Sequence, residues 1–434
     1  VSPTPRALAL AAAWLGLGLV ASAVPAALGP WAGLGGALAL LLMVDALMLR
    51  GRPTPAVTRQ LGAALAQGEP EPLRLRVENP GRSALQVELL QPATPGVEAQ
   101  GLEGALRVGP GGYAELDGEL RPLRRGEHRL GAVWLRLAGP LGLMRAAREA
   151  APEAVIRVYP NYRQVTRYAA LAMQQNTAAL GVHPQRRRGE GTEFHQLREY
   201  REGDGLRQID WKAVSRRRQL ISREYREEQD QHVVFLLDCG RRMRAQDGER
   251  SHFDAVLNAA LLLSWVALRQ GDSVGFLTFS GHDRWLPPRK GRGTLPALLD
   301  QLFDLDATEV PADYAEAAAR LAARQRRRAL VVLLTNLRDD DAAELGPALA
   351  PLRRRHLVLV ASLREAALTE ALARPADDFE GALRAGAAAH LLAERRRAHA
   401  LLQGRGAQAL DVLPAELPLA LVNRYLEIKR AGLL

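Results

Sequence analysis

Two long uncharged stretches at the start of the chain restrict its fold more than any other feature. Residues 7–28 carry no charge and residues 31–49 carry one, Asp45. Each approaches the roughly 20 apolar residues that cross a bilayer core. The sequence therefore predicts a transmembrane hairpin of two helices over residues 1–52, turning at Gly29 and Pro30, with Trp31 at an interface. A cleavable signal peptide ending at Ala21, Ser22 and Ala23 is the alternative; the second apolar span directly behind it favours the hairpin. Arg6 precedes the first span, Arg50, Arg52 and Arg59 follow the second, and the turn has no basic residue. The positive-inside rule then puts both ends in the cytoplasm, so the expected location is the inner (cytoplasmic) membrane, multi-pass, with the soluble domains facing the cytoplasm. Cleavage after Ala23 leaves the same arginines behind one span and the same cytoplasmic body. Asp45, about one turn from the cytoplasmic end, is expected to reach the interface near Arg50 and not to serve a proton relay.

Beyond the hairpin the pattern changes twice. Residues 53–160 read as a small β-sandwich: Leu73, Leu75 and Val77 alternate with Arg74 and Arg76, residues 85–89 and 132–137 continue the alternation, and Asn79-Pro80-Gly81 supplies a turn. Residues 161–188 read as a connector and 189–230 as a dense segment of glycines, acids, bases and aromatics. From 231 to 434 strands alternate with helices. The apolar run 233–237 reads as a buried parallel strand; strands are also expected at 273–279, 329–334, 357–360 and 409–412, and helices at 253–268, 295–302, 314–324 and 382–402. The fold class is α/β, with a parallel sheet covered on both faces. Such sheets carry ligand sites at the carboxyl ends of their strands, here Asp238-Cys239-Gly240, Ser280-Gly281 and Thr335-Asn336.

The chemistry is mostly defined by exclusion. The net charge of +10 invites a nucleic-acid reading, but among 58 basic residues the only lysines are Lys212, Lys290 and Lys429. The arginine clusters at 186–188, 216–218, 326–328, 353–355 and 395–397 are scattered and lack interleaved aromatics, so they read as solvated faces and no nucleic-acid partner is expected. Cys239 is the single cysteine; an internal disulfide and a Cys-rich metal site are excluded, and a reducing compartment is favoured. The phosphate loop, H-E-x-x-H, C-x-x-C and G-x-S-x-G are all missing. Ser280, His282 and Asp283 are neighbours in sequence and read as a loop, since a triad assembles in space. No catalytic residue and no cofactor are expected, and the chain reads as a non-enzyme.

Asp238 is the best metal candidate. A strand followed by Asp-x-Ser-x-Ser in a doubly wound sheet is the signature of von Willebrand factor A domains, and the region resembles that family. The resemblance implies a divalent cation held by the aspartate, the serines and residues of later loops. Here Gly240 and Arg242 stand at the serine positions, and Asn336 stands where the family often has aspartate. Asn336 is a weaker ligand for a hard cation, and the Arg242 guanidinium is expected to take the cation's place beside Asp238. A degenerate, metal-free site follows.

The dense segment supplies a narrower resemblance. Gly191, Glu193, Phe194, Leu197, Arg198, Tyr200, Gly203, Asp204, Arg207, Ile209, Asp210, Trp211 and Lys212 resemble the signature of bacterial "domain of unknown function 58" proteins. So do Arg125-Gly126-Glu127-His128, Pro140-Leu141-Gly142-Leu143, Val158-Tyr159-Pro160-Asn161 and the run from Asn423 to Lys429. The resemblance implies a membrane anchor, a β-domain and a von Willebrand factor A-like domain, with genes that commonly neighbour those of MoxR-type AAA+ ATPases. The expected function is a membrane-anchored adaptor for such an ATPase, in chaperone-like assembly or envelope stress. The alternatives are a cation-dependent ligand-binding protein using Asp238 and Asn336, and a hydrolase using Ser280 or the motif's acids. Within the motif, Asp204 is expected to cap a helix whose Leu206, Ile209 and Ala213 face the core. Glu193, Arg198, Asp204, Arg207 and Asp210 either form a buried ion network or dock a partner, and Trp211 anchors either a core or an interface.

Overall fold

The computed structural model describes residues 1–62, 64–161, 163, 193–200, 209–217, 219–226, 230–248 and 250–434. It divides into two compact units, Val1–Tyr159 and Pro160–Leu434.

The first unit opens with α1 (Pro5–Ala23) and α2 (Leu28–Gly51), both long and apolar enough to cross a membrane. Thr4 caps α1, its hydroxyl accepting from the Ala7 N–H, and Pro5 occupies the first turn, where a missing N–H is harmless. The expected turn at Gly29-Pro30 is displaced: a 3₁₀ turn spans Pro25–Ala27, and both residues fall in the first turn of α2. The helices are held by Trp14 and Trp31, whose rings stack with centroids 4.7 Å apart. Each indole N–H donates to the other residue's carbonyl, at 3.1 and 3.0 Å. Gly18 and Gly35 make room, since a Cβ on either would lie within 3 Å of the opposing indole.

The rest of this unit is β-structure around one apolar core. One sheet runs Ser2–Pro3, Met144–Ala151, Val133–Ala138, Leu85–Leu90, Glu103–Val108; a second runs Ala56–Gln60, Glu71–Glu78, Tyr113–Pro122, Val97–Gln100. A third contains Leu65–Ala66, Ala154–Tyr159 and Gly126–Leu130. Leu73, Leu75 and Val77 from one sheet meet Val133, Leu135 and Leu137 from another in the core, and the alternating arginines stay outside.

Asp45 departs from expectation. It is fully buried, and its carboxylate accepts from the backbone N–H groups of Leu141, Leu143 and Met144 at 2.8, 2.9 and 2.7 Å. Gly139 has no side chain because there is no space for one; a Cβ would sit 2.3 Å from Asp45 Oδ1. Three charge-assisted bonds replace the water that a buried carboxylate loses, so Asp45 fastens α2 to the 139–144 loop.

In the second unit a six-stranded sheet carries the fold: β1 (His232–Asp238), β2 (Ser273–Phe279), β3 (Trp285–Arg289), β4 (Ala329–Thr335), β5 (Leu357–Leu363) and β6 (Gln408–Val412). Their spatial order is β3-β2-β1-β4-β5-β6. All neighbours are parallel except β3, which is antiparallel at the edge. Alternate residues of β1 enter two cores: Val233, Phe235 and Leu237 pack with helices His252–Arg269 and Leu417–Arg430, and Val234 and Leu236 with helices Tyr314–Arg324 and Asp339–Arg353. Burial on both faces is why these strands read as continuous apolar runs. The order reverses at β1, so the crevice at the carboxyl ends of β1 and β4 is the place a ligand site is expected.

Candidate functional site

Asp238 ends β1 and is 1% exposed. Its Oδ1 accepts from the Gly240 N–H at 2.8 Å and its Oδ2 from the Thr335 hydroxyl at 2.7 Å. Behind Thr335 lies the buried Tyr314 hydroxyl, 3.0 Å away. Burial pushes the Asp238 pKa up, while the bonds from Thr335 and Gly240 pull the other way. Burial also pushes up the Tyr314 phenol. Gly240 is sterically required: a Cβ there would stand 2.9 Å from Asp238 Oδ1 and 2.9 Å from the Val310 carbonyl. A serine at this position has no room without a backbone shift. The direct partner of Arg242 Nη1 is Asp341, which also accepts from the Arg338 N–H at 3.0 Å, and the Arg242 charge acts on Asp238 as well, against the upward push of burial. Among the described residues no group of three or more His, Cys, Asp or Glu is arranged to hold a metal.

Asn336 faces a different set of partners. Its Nδ2 donates to Glu365 Oε1 at 2.9 Å and lies 3.4 Å from His252 Nδ1; its Oδ1 accepts from Arg395 at 3.3 Å. Arg395 is 5% exposed and also donates to Asp411 Oδ1 (2.8 Å), the Ser362 hydroxyl and the carbonyls of Leu337 and Leu363. One guanidinium thus joins the carboxyl ends of β4 and β5 to β6. Burial acts to raise the Glu365 pKa, but the Asn336 bond and the Arg395 charge bring it below the usual carboxylate range. The arrangement is a closed polar lattice, and it corrects the reading of 395–397 as a solvated run: Arg395 is interior while Arg396 and Arg397 are exposed.

Sequence reasoning missed Arg395, His252, Glu365 and Asp341. Glu365 had a usable signal, since it lies two residues beyond the carboxyl end of β5. Arg395 had none, because nothing in an arginine triplet says which member faces inward.

The dense segment is described in part. Glu193 and Arg198 lie in the strand Glu193–Glu199, paired antiparallel with Ile221–Arg226. The Tyr200 N–H donates to the Leu220 carbonyl at 2.9 Å. Gly203, Asp204 and Arg207 lie outside the described residues. Ile209, expected on the helix face toward the core, is instead bridged to Ser222, and a helix spans Trp211–Arg217. Asp210 is its cap: Oδ1 accepts from the N–H groups of Lys212 and Ala213, both at 3.1 Å. Trp211 is 64% exposed and Lys212 is exposed.

The Ser280 cluster does not assemble as a triad. Ser280 takes φ +65°, His282 Nε2 contacts the Asp306 carbonyl at 3.1 Å, and Asp283 pairs with Arg320 and Arg324.

Residues 196–385 match the family model described as "Protein of unknown function DUF58". The "Uncharacterized protein YeaD" of Bacillus subtilis (strain 168) is 24% identical over 258 residues, 58% of this chain; the chain spans 60% of that relative's length. Among solved structures, an aerotolerance-related membrane protein from Bacteroides fragilis, with multiple mutations to serines, is similar at a TM-score of 0.30 and 16% identity, covering 45% of this chain and 98% of that one. A FixG-related protein from Vibrio parahaemolyticus is similar at 0.18 and 13% identity, over 24% of this chain and 97% of that one.

Proposed function

We propose that the chain is a membrane-anchored adaptor. In this reading α1 and α2 cross the cytoplasmic membrane, with Arg6, Arg50, Arg52 and Arg59 holding the soluble parts on the cytoplasmic side. The unit Pro160–Leu434 serves as a von Willebrand factor A-like interaction domain. Its partner is a MoxR-type AAA+ ATPase, which supplies the energy for remodelling. The order β3-β2-β1-β4-β5-β6 with one antiparallel edge supports the fold assignment. The closure of the Asp238 site by its own neighbours speaks against recognition through a bound cation.

The observation that carries this reading is Trp211. A 64% exposed tryptophan at the start of a capped helix, beside a lysine, is the kind of residue that dominates an interface when covered. The full chain in detergent is expected to capture a MoxR-type AAA+ ATPase in the presence of ATP. Trp211→Ala should weaken capture by about 30-fold or more, the size of a hot-spot loss. Absence of capture, or equal capture by the variant, removes the proposal.

A further inference from the structure

The first unit contains a cavity of about 390 Å³ at the foot of α1. Thr4 and Pro5 form part of its rim, and its floor is the outer surface of the first sheet. Three arginines reach it, Arg107, Arg136 and Arg145, against one acid, Glu88, which Arg136 pairs at 2.8 Å. Strand register explains the shape. Arg145 is opposite both Ser2 and Ala138, and Arg107 is opposite Gln86. Small residues, Ala138 and Ala105, leave the hollow between them. Arg107 and Arg145 flank it three strand spacings apart, about 14 Å between Cα atoms, a gap that two arginine side chains can close on one phosphate.

The depth of this cavity is fixed by the contacts that hold the hairpin. The Thr4 N–H donates to the Leu143 carbonyl and its hydroxyl to the Gly142 carbonyl, both at 2.8 Å. Ser2–Pro3 pairs with Met144 and Arg145. Asp45 is held by the same 139–144 loop, and Arg148 donates to the Leu49 carbonyl at 2.6 Å near the end of α2. The uncharged parts of both helices end at this level, after about 26 Å of rise against a hydrocarbon core of about 30 Å. Leu141, at the tip of the loop, is 47% exposed. The cavity therefore sits where lipid phosphates lie, with an apolar side chain beside it.

We propose that this cavity binds the phosphate headgroup of an anionic membrane lipid, held by Arg107 and Arg145 with Gln86 as a neutral donor. The inference rests on the membrane-anchored reading above. Arg136 is largely neutralised by Glu88, so the charge available to the lipid comes from the other two arginines.

The test uses the full chain in vesicles of phosphatidylcholine, with and without phosphatidylglycerol. Flotation reports anchoring; lipid retained after detergent extraction, measured by native mass spectrometry, reports the site. The protein and its Arg107→Ala/Arg145→Ala variant are expected to float with both vesicle types. The unaltered chain should retain phosphatidylglycerol over phosphatidylcholine, and the variant should lose about 25-fold of that preference, roughly fivefold per arginine near a membrane surface. A variant that keeps the preference overturns the proposal. So does an equal loss in Arg74→Ala/Arg121→Ala, which removes two arginines from the second sheet. Displacement of the lipid by millimolar inorganic phosphate also overturns it, by identifying a free-anion site. Failure to float with either vesicle overturns the anchoring reading, and this inference with it.

Discussion

Asp45 and Asp238 are both buried carboxylates, and the two regions around them use a buried charge in different ways. Asp45 is held by three backbone N–H groups from residues 96 to 99 positions away in sequence. Asp238 is held by the N–H two residues on and by one hydroxyl from the neighbouring strand. The first arrangement brings distant segments together and satisfies the charge fully. The second fills the crevice of the sheet with the protein's own groups and leaves the carboxylate under a burial penalty that raises its pKa. A carboxylate with several backbone donors acts as a fastener; one with fewer donors, walled in by Gly240 and Val310, seals its own crevice.

If that contrast is right, removing the fastener has the largest effect. Asp45→Ala strands three N–H groups and should cost about 3–5 kcal/mol. Gly139→Ala should cost a similar amount, since its Cβ falls onto the same carboxylate. Thermal unfolding of the full chain in detergent measures both; a midpoint unchanged by either substitution would break the comparison on this side.

Arg395 is the counterpart of Asp45 in the second unit. Arg395→Met leaves Asp411 and the carbonyls of Leu337 and Leu363 without their donor, and about 3 kcal/mol of stability should be lost. Chemical denaturation monitored by circular dichroism checks this, and a loss below about 1 kcal/mol would show that the lattice is not structural.

Gly240→Ser tests whether packing closes the crevice beside Asp238. The added Cβ meets Asp238 Oδ1 and the Val310 carbonyl at 2.9 Å, so a cost of about 1–3 kcal/mol is expected. Millimolar magnesium should not restore it. A magnesium-dependent rise in the unfolding midpoint would instead show that the variant binds a cation and that packing does not close the crevice.

These sites also show where sequence was informative. The continuous apolar runs of β1 and β4 were legible because strands buried on both faces must be largely apolar. The helix Tyr314–Arg324 was legible from its spacing. The edge strand Trp285–Arg289 was hidden by Pro287 and Pro288, which an edge tolerates and a central strand does not. The helix Asp339–Arg353 was hidden by Pro347 and Pro351. Asp238 was found because its signal is local: an aspartate at the end of a continuous apolar strand. The roles of Asp45 and Arg395 are set by partners across the fold, 96 to 99 residues away for Asp45 and 16 to 59 for Arg395, and no spacing rule encodes such contacts.

The smallest expected effect is the most diagnostic for Asp238. Asp238→Asn keeps an acceptor for the Gly240 N–H and can donate to Thr335, so stability near neutral pH should change by less than about 1 kcal/mol or rise. The sign of the pH dependence reports on the burial of Asp238. Because the folded pKa of Asp238 is raised, the native state holds its proton more tightly than the unfolded chain. That contribution is complete below the unfolded value of about 4 and is lost as pH rises through the folded one, at about 1.4 kcal/mol per unit of elevation. The native chain should therefore lose stability relative to Asp238→Asn as pH rises from about 4 toward neutrality. Parallel denaturant titrations of the two proteins across that range measure the difference. A constant gap between them would mean that burial does not penalise the Asp238 carboxylate, and the description of a sealed site would fail.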